Sequence, residues 1–147
     1  MMRALLDVNV LIALLDAGHI HHRVATSWLE QEISRGWASC PITQNGCIRI
    51  MSQPSYPGNM AAAEVAKRLA EAASQPHHEF WPADISLMDK TVFQWDHVLG
   101  HRQVTDVYLL ALAIRNNGRL VTLDRKISID SAVGGTEDNL FCISTSA

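Results

Sequence analysis

The chain has 147 residues, 48% of them apolar and 18% charged, with a formal charge of −3 from 12 basic and 15 acidic side chains. That composition excludes a disordered chain and a polybasic nucleic-acid coat, so any contact with nucleic acid has to come from a local patch. Three cysteines, Cys40, Cys47 and Cys142, lack the spacing of a disulfide framework, and Asp7 and Asp16 keep the apolar N-terminal stretch well short of the ~18 residues of a membrane span. The expectation is one soluble, cytoplasmic domain over residues 1–147, with reduced thiols and no membrane association.

Arg3 to Val8 is a short apolar-rich run ending at an Asp, the pattern of a buried strand, and Val10 to Leu15 continues as a helix. His21 to Arg35 reads as a second helix, with Val24, Trp28 and Leu29 at helical spacing and Gly36 as the stop. Trp37 to Cys40 follows as a short strand. Ile42 to Ser52 is the next helix, ended by the Pro- and Gly-rich stretch from Gln53 to Gly58. Met60 to Ala73 is Ala-rich and helical, and Glu79 to Trp81 is a further short strand. Ser86 to Trp95 is expected to be helical, because Asp89 stands three residues after Ser86 in a capping-box arrangement.

Val104 to Asn116 forms a helix whose interior, Val107 to Ile114, carries no charge, which implies burial on more than one side. Asn117-Gly118 ends it, Leu120 to Leu123 is a strand terminating at Asp124, and Leu140 to Ile143 is the final strand. Strands alternating with helices imply an α/β class with a mostly parallel sheet covered on both faces.

In such a sheet the carboxyl ends of the strands and the neighbouring helix N-termini form the ligand-binding edge. Asp7 and Asp124 each follow an apolar strand, and Asp106 sits in the first turn of the uncharged helix. Taken singly, Asp7 can cap a helix, Asp106 can complement a helix dipole and Asp124 can start a turn. Taken together, carboxylates within about 4 Å repel by roughly 4 kcal/mol per pair at an effective dielectric near 20. A protein accommodates this by protonating one carboxylate or by binding a cation. Oxygen-only ligands select Mg²⁺ or Mn²⁺ over Zn²⁺, and magnesium held by few carboxylates keeps open positions suited to phosphate substrates. The chemistry implied is metal-assisted phosphodiester hydrolysis.

Four segments also carry a family resemblance. Leu6-Asp7-Val8-Asn9-Val10-Leu11-Ile12 resembles the opening motif of PIN-domain nucleases, Val104 to Ala113 their third acidic block, and Leu120 to Asp124 their last. Cys40 to Ile50 is similar to a segment of one branch of VapC-type toxins, and the blocks occur in family order along nearly the whole chain. The resemblance implies a three-layer α/β/α PIN-like fold and a magnesium-dependent endoribonuclease, the toxin of a type II toxin–antitoxin pair. Mn²⁺ is the possible substitute ion. By carry-over, Asp7 and Asp106 are the principal metal ligands and Asp124 completes the catalytic acids, while Asn9 and Thr105 are candidates for orienting those carboxylates. RNA as substrate, a cognate antitoxin protein occupying the active-site groove, and pairing as a homodimer are implied in the same way.

One block departs from the family. Where a Glu is usual, this chain reads Thr43-Gln44-Asn45-Gly46, with no acid between Glu32 and Glu64. Gln44 and Asn45 are both open as neutral oxygen donors in its place, and the lost charge weakens the case for a second cation. The absence motivates a rival reading, a catalytically lapsed PIN-fold module that binds RNA or protein. A phosphomonoesterase on the same edge is disfavoured because the residue two after Asp7 is Asn9, so no Asp-x-Asp pair exists.

The seven histidines, including His19, His21 and His22, lack a zinc-site spacing with cysteine. His77-His78 is expected in a solvated loop. Arg102 and Arg125-Lys126 lie near the acids in sequence and are candidates for phosphate contact, whereas Lys67-Arg68 reads as the wet side of a helix. Asp89, Asp96, Asp130 and Asp138 read as surface or capping acids, and Trp28, Trp37, Trp81 and Trp95 are assigned to packing.

Overall fold

The computed structural model describes residues 2–124 and 126–145. Its elements are β1 (Ala4–Leu6), α1 (Val8–Leu15), α2 (His22–Glu32), β2 (Trp37–Ser39), α3 (Pro41–Met51), α4 (Ala62–Ala73), β3 (His78–Phe80), α5 (Val104–Arg115), β4 (Arg119–Thr122) and β5 (Leu140–Cys142). All five strands are parallel in the order β3-β2-β1-β4-β5.

Strand alternation divides the core in two. Leu5 pairs with Ala38 on one side and Leu120 on the other, and these three face α5 in one buried cluster. Ala4, Leu6, Trp37 and Val121 point the opposite way, into a cluster filled by α1 (Val10, Leu11), α2 (Trp28), α3 (Cys47, Met51) and α4 (Val65, Leu69). The result is helix, sheet, helix in three layers, as the class and the family resemblance imply. The apolar run Val107 to Ala113 in α5 is buried throughout, because the helix packs between the sheet and the chain that crosses from β3. On α4 only Val65 and Leu69 are buried, leaving Lys67 and Arg68 exposed with Arg68 beside Glu64 at 3.6 Å.

The expected helix from Ser86 to Trp95 does not form. The Ser86 hydroxyl accepts from the Met88 amide, and Asp89 accepts from both the amide and hydroxyl of Thr91, so the would-be capping groups close turns instead. Phe93 then bridges to Ala132 in an antiparallel contact, and the Val133 amide donates to Val92. Only Trp95–His97 coils, as a single 3₁₀ turn. His77-His78 also departs from expectation: pairing with β2 draws His78 into β3, half-buried, its ring 4.4 Å from that of Trp37 and its Nε2 sharing a hydrogen bond with the Ser39 hydroxyl. Trp28, Trp37 and Trp81 are buried, whereas Trp95 stacks on Phe93 but stays 38% exposed.

Candidate functional site

β1 and β4 are neighbours at the centre of the sheet, although three-quarters of the chain separates them, so their carboxyl ends bring Asp7 and Asp124 to one edge. Asp7 is 5% exposed and caps α1, with Oδ1 accepting from the Val8 amide at 2.7 Å. Its Oδ2 accepts from the Thr122 hydroxyl at 2.8 Å. Thr122 is fully buried and its Oγ1 in turn accepts from the Asp124 amide at 3.0 Å. Thr122 is therefore the side chain that orients Asp7 and ties it to the start of the Asp124 turn. Asp124 completes that turn by accepting from the Lys126 amide at 2.9 Å, so the capping and turn roles of these acids coexist with their convergence. Arg125 lies outside the described residues.

Asp7, Asp106 and Asp124 line one cleft of about 410 Å³. Burial, opposed by the bonds from Thr122 and Val8, holds the Asp7 carboxyl above its usual range, with the charge of Asp124 adding to the rise. Burial first, then the charges of Asp7 and Asp124, pushes Asp106 up to about 7. The Asp106 carboxyl has no hydrogen-bond donor among the described residues, so no protein group offsets that repulsion.

The fourth wall is α3. A Cβ on Gly46 would meet Val8 Cγ2 at 2.7 Å, so glycine lets α3 approach the start of α1 and bring Asn45 and Arg49 to the cleft. Gln44 turns away and donates to the Ser39 hydroxyl, which leaves Asn45 as the one of these two α3 amides that lines the acidic cleft. Arg102, Thr105 and Asn9 complete the lining. Neither Asn9 nor Thr105 hydrogen-bonds a carboxylate, and neither Arg49 nor Arg102 forms an ion pair among the described residues. Two unpaired guanidiniums thus share a cleft with three carboxylates. Arg49 was not legible as a site residue from composition; its signal was the four-residue step from Asn45 along one helix face. Thr122 could have been found as the one polar residue in an otherwise apolar strand run before Asp124.

Among the described residues, no three carboxylate, imidazole or thiol groups already form a closed cage for a metal. The donor set nevertheless fits a hard divalent cation: every nearby protein donor is oxygen, one carboxylate is unbonded and raised by its neighbours, and such ions complete their shell with water. A second cleft of about 510 Å³, bounded by α1, α2 and α4, is lined by Leu11, Leu14, Leu29 and Leu69 and contains no carboxylate or guanidinium. Of the other basic residues, Arg119 is only 8% exposed at the far end of β4, over the Trp28 and Phe141 rings and 3.6 Å from Glu32, and is unavailable to the acidic edge. Asp96, Asp130 and Asp138 are exposed in 3₁₀ turns. No helix among the described residues is long and apolar enough to cross a membrane.

The family model described as the PIN domain matches residues 4–129. Ribonuclease VapC44 of Mycobacterium tuberculosis is 48% identical over 95% of this chain and 98% of its own length. Ribonuclease VapC39 of the same organism is 46% identical over 91% and 96%. Among solved structures, VapBC2 from Rickettsia felis, bound to a DNA fragment from its promoter, aligns with a TM-score of 0.58 at 17% identity, covering 85% of this chain and 90% of that one, a likeness of fold.

Proposed function

The chain belongs to the PIN-domain family and stands with its VapC members, and from that membership and the acidic cleft we propose that it is a divalent-metal-dependent endoribonuclease, the toxin of a toxin–antitoxin pair acting in the cytoplasm. The observation that carries the reading is the convergence of Asp7, Asp106 and Asp124 from β1, α5 and β4 on one cleft, with Asp106 pushed up to about 7. Asp7 and Asp106 would hold the cation, with Asp124 completing the acidic face. When bound, Mg²⁺ or Mn²⁺ supplies a Lewis acid that acidifies water and neutralises charge on a phosphodiester.

The rest of the work falls to the chain itself. Thr122 fixes the Asp7 carboxylate so that its remaining lone pairs face the cleft rather than the sheet. Arg49 and Arg102, without an acidic partner among the described residues, bind the non-bridging oxygens of the scissile phosphate and its neighbour, the planar guanidinium fork suiting that task. Asn45 offers a neutral oxygen where an acid would add repulsion. Thr105 and Asn9 line the cleft close enough to bond an incoming phosphate or ribose. A protein antitoxin is the proposed partner, able to gain apolar burial in the leucine-lined cleft between α1, α2 and α4, and a second copy of the chain is the proposed oligomeric partner, checked by the mass in solution.

The test is total cellular RNA incubated with the purified chain, freed of any partner, and Mg²⁺, beside EDTA and Asp7→Asn controls. Discrete fragments that vanish in both controls are expected. Intact RNA from a protein that still binds Mn²⁺ would overturn catalysis and leave an RNA- or protein-binding module, with Asn45 in place of an acid as its cause.

A further inference from the structure

Beside the acidic cleft, and sharing Asn9 and Asp124 with it, lies another of about 480 Å³ whose remaining walls are His19, Ile20, His21 and Leu123. The turn that builds it, between α1 and α2, is tightly tied. The Asp16 carboxylate accepts from the Gly18 amide and the Tyr56 hydroxyl, His19 Nδ1 accepts from the His21 amide at 3.0 Å, and His22 Nδ1 donates to the Ala13 carbonyl at 2.7 Å. On this fixed turn Ile20 is 87% exposed, and the imidazole rings of its sequence neighbours His19 and His21 stand against each other with centroids 5.7 Å apart. An isolated exposed apolar side chain needs no explanation on a surface. This one is held by a bonded turn, flanked by two flat polar rings, and opens onto the same carboxylate as the candidate reaction centre.

We propose that His19, Ile20 and His21 form a subsite for the unpaired nucleobase adjoining the scissile phosphate of a single-stranded RNA. The proposal rests on the ribonuclease reading for the phosphate's position. A strand whose phosphate lies among Asp7, Asp106 and Asp124, with Arg49 and Arg102 on the α3 and α5 side, has to leave the cleft past Asn9 or past the arginines. On the Asn9 side its next base meets the two imidazoles and the isoleucine. Single-stranded RNA is bound in this way elsewhere, bases splayed from the backbone onto flat or apolar side chains while cations hold the phosphates. His19 accepts through Nδ1, so its Nε2 carries the proton and is a donor for a base edge.

The experiment measures fluorescence anisotropy in EDTA on the full chain carrying Asp106→Asn, which prevents cleavage. The probes are a short labelled single-stranded RNA and a ribose-phosphate chain of equal length without bases. The parent is expected to prefer the base-bearing probe about tenfold, the contribution of one stacked base. Adding Ile20→Ser and His21→Ala should remove that preference and leave affinity for the abasic probe unchanged. Both changes spare the loop, since Ile20 is exposed and His21 bonds His19 through its backbone. Ile20→Ser alone should show a partial loss, which keeps the test decisive if the double variant misfolds. A preference that survives the substitutions, or is absent from the parent, overturns the subsite. So does loss of binding to a protein partner with base preference intact, which would assign Ile20 to a protein interface. Base preference in a wild-type chain that leaves RNA whole would sink the nuclease reading and keep the subsite.

Discussion

Asp106→Asn is the substitution whose energetic consequence follows most directly from the site. Its carboxyl is raised from 3.8 to about 7 by burial and by Asp7 and Asp124, so the folded protein favours the protonated form. The stability this group contributes is full below the unfolded value and is lost as pH rises through about 7. At about 1.4 kcal/mol per pH unit, the interval corresponds to about 4 kcal/mol for a sequestered group. Solvent reaches the side chain, which reduces the effect to about 2 kcal/mol. In EDTA, the wild type should therefore lose stability between pH 4 and 7.5, and Asp106→Asn should lose about 2 kcal/mol less, melting about 4–8 °C higher at pH 7.5. Asn cannot ionise, and its presence also relieves Asp7. Mn²⁺ should reverse the loss in the wild type and do little for the variant, because it binds the folded ionised site. The measurement is a set of thermal melts from pH 4 to 8, in EDTA and in Mn²⁺. Equal pH dependence of the two proteins in EDTA, or a variant less stable than the wild type at pH 7.5, would refute the electrostatic account of the cleft.

Other substitutions separate the remaining roles. Thr122→Val keeps shape and burial but removes the donor to Asp7, so titration calorimetry should find Mn²⁺ affinity weaker by about tenfold or more, with unchanged affinity arguing against a positioning role. Arg49→Ala and Arg102→Ala should each raise KM for RNA and lower the salt dependence of binding by about one counterion, without loss of Mn²⁺ binding; an unchanged salt slope would show the guanidiniums do not meet phosphates. Gly46→Ala forces a methyl against Val8 Cγ2 and should cost about 1–3 kcal/mol in denaturant melts, most of it recovered by adding Val8→Ala; an additive double variant would contradict a clash between α1 and α3.

Much of the fold is legible because its strands and helices bury contiguous apolar runs. Ala4–Leu6 and Leu120–Val121 fit the pattern of buried strands, and the uncharged stretch of α5 needs both the sheet and the crossing chain to cover it. Ser86 to Trp95 shows where that logic fails. Its capping pattern is local, and local side-chain bonds satisfy turns as readily as helices. What decides is tertiary: Phe93 stacks near Tyr108 and bridges to Ala132, while Leu87 and Met88 remain exposed, which no helix with its apolar face toward α5 would allow. His78 fails for a related reason. It is polar and short-range patterning sends it to solvent, but strand pairing places it against Trp37.

The acids of the site are legible because parallel-sheet topology sends strand ends and helix starts to one edge whatever their distance in sequence. Their supporting groups are not, because support depends on which neighbours the fold supplies. Thr122 is only a polar residue in an apolar strand run until β1 and β4 are known to be adjacent, whereupon it bridges Asp7 and Asp124. The choice between Gln44 and Asn45 likewise turns on helix phase: adjacent residues point about 100° apart on α3, so when Gln44 reaches back to Ser39, Asn45 is the one left facing the carboxylates. With an amide there instead of an acid, and with Arg49 one turn further along, α3 makes the cleft less negative than its three aspartates alone would. On the proposed nuclease reading, that shift would favour a single divalent cation with guanidiniums taking the remaining phosphate charge, over a pair of cations crowded against carboxylates.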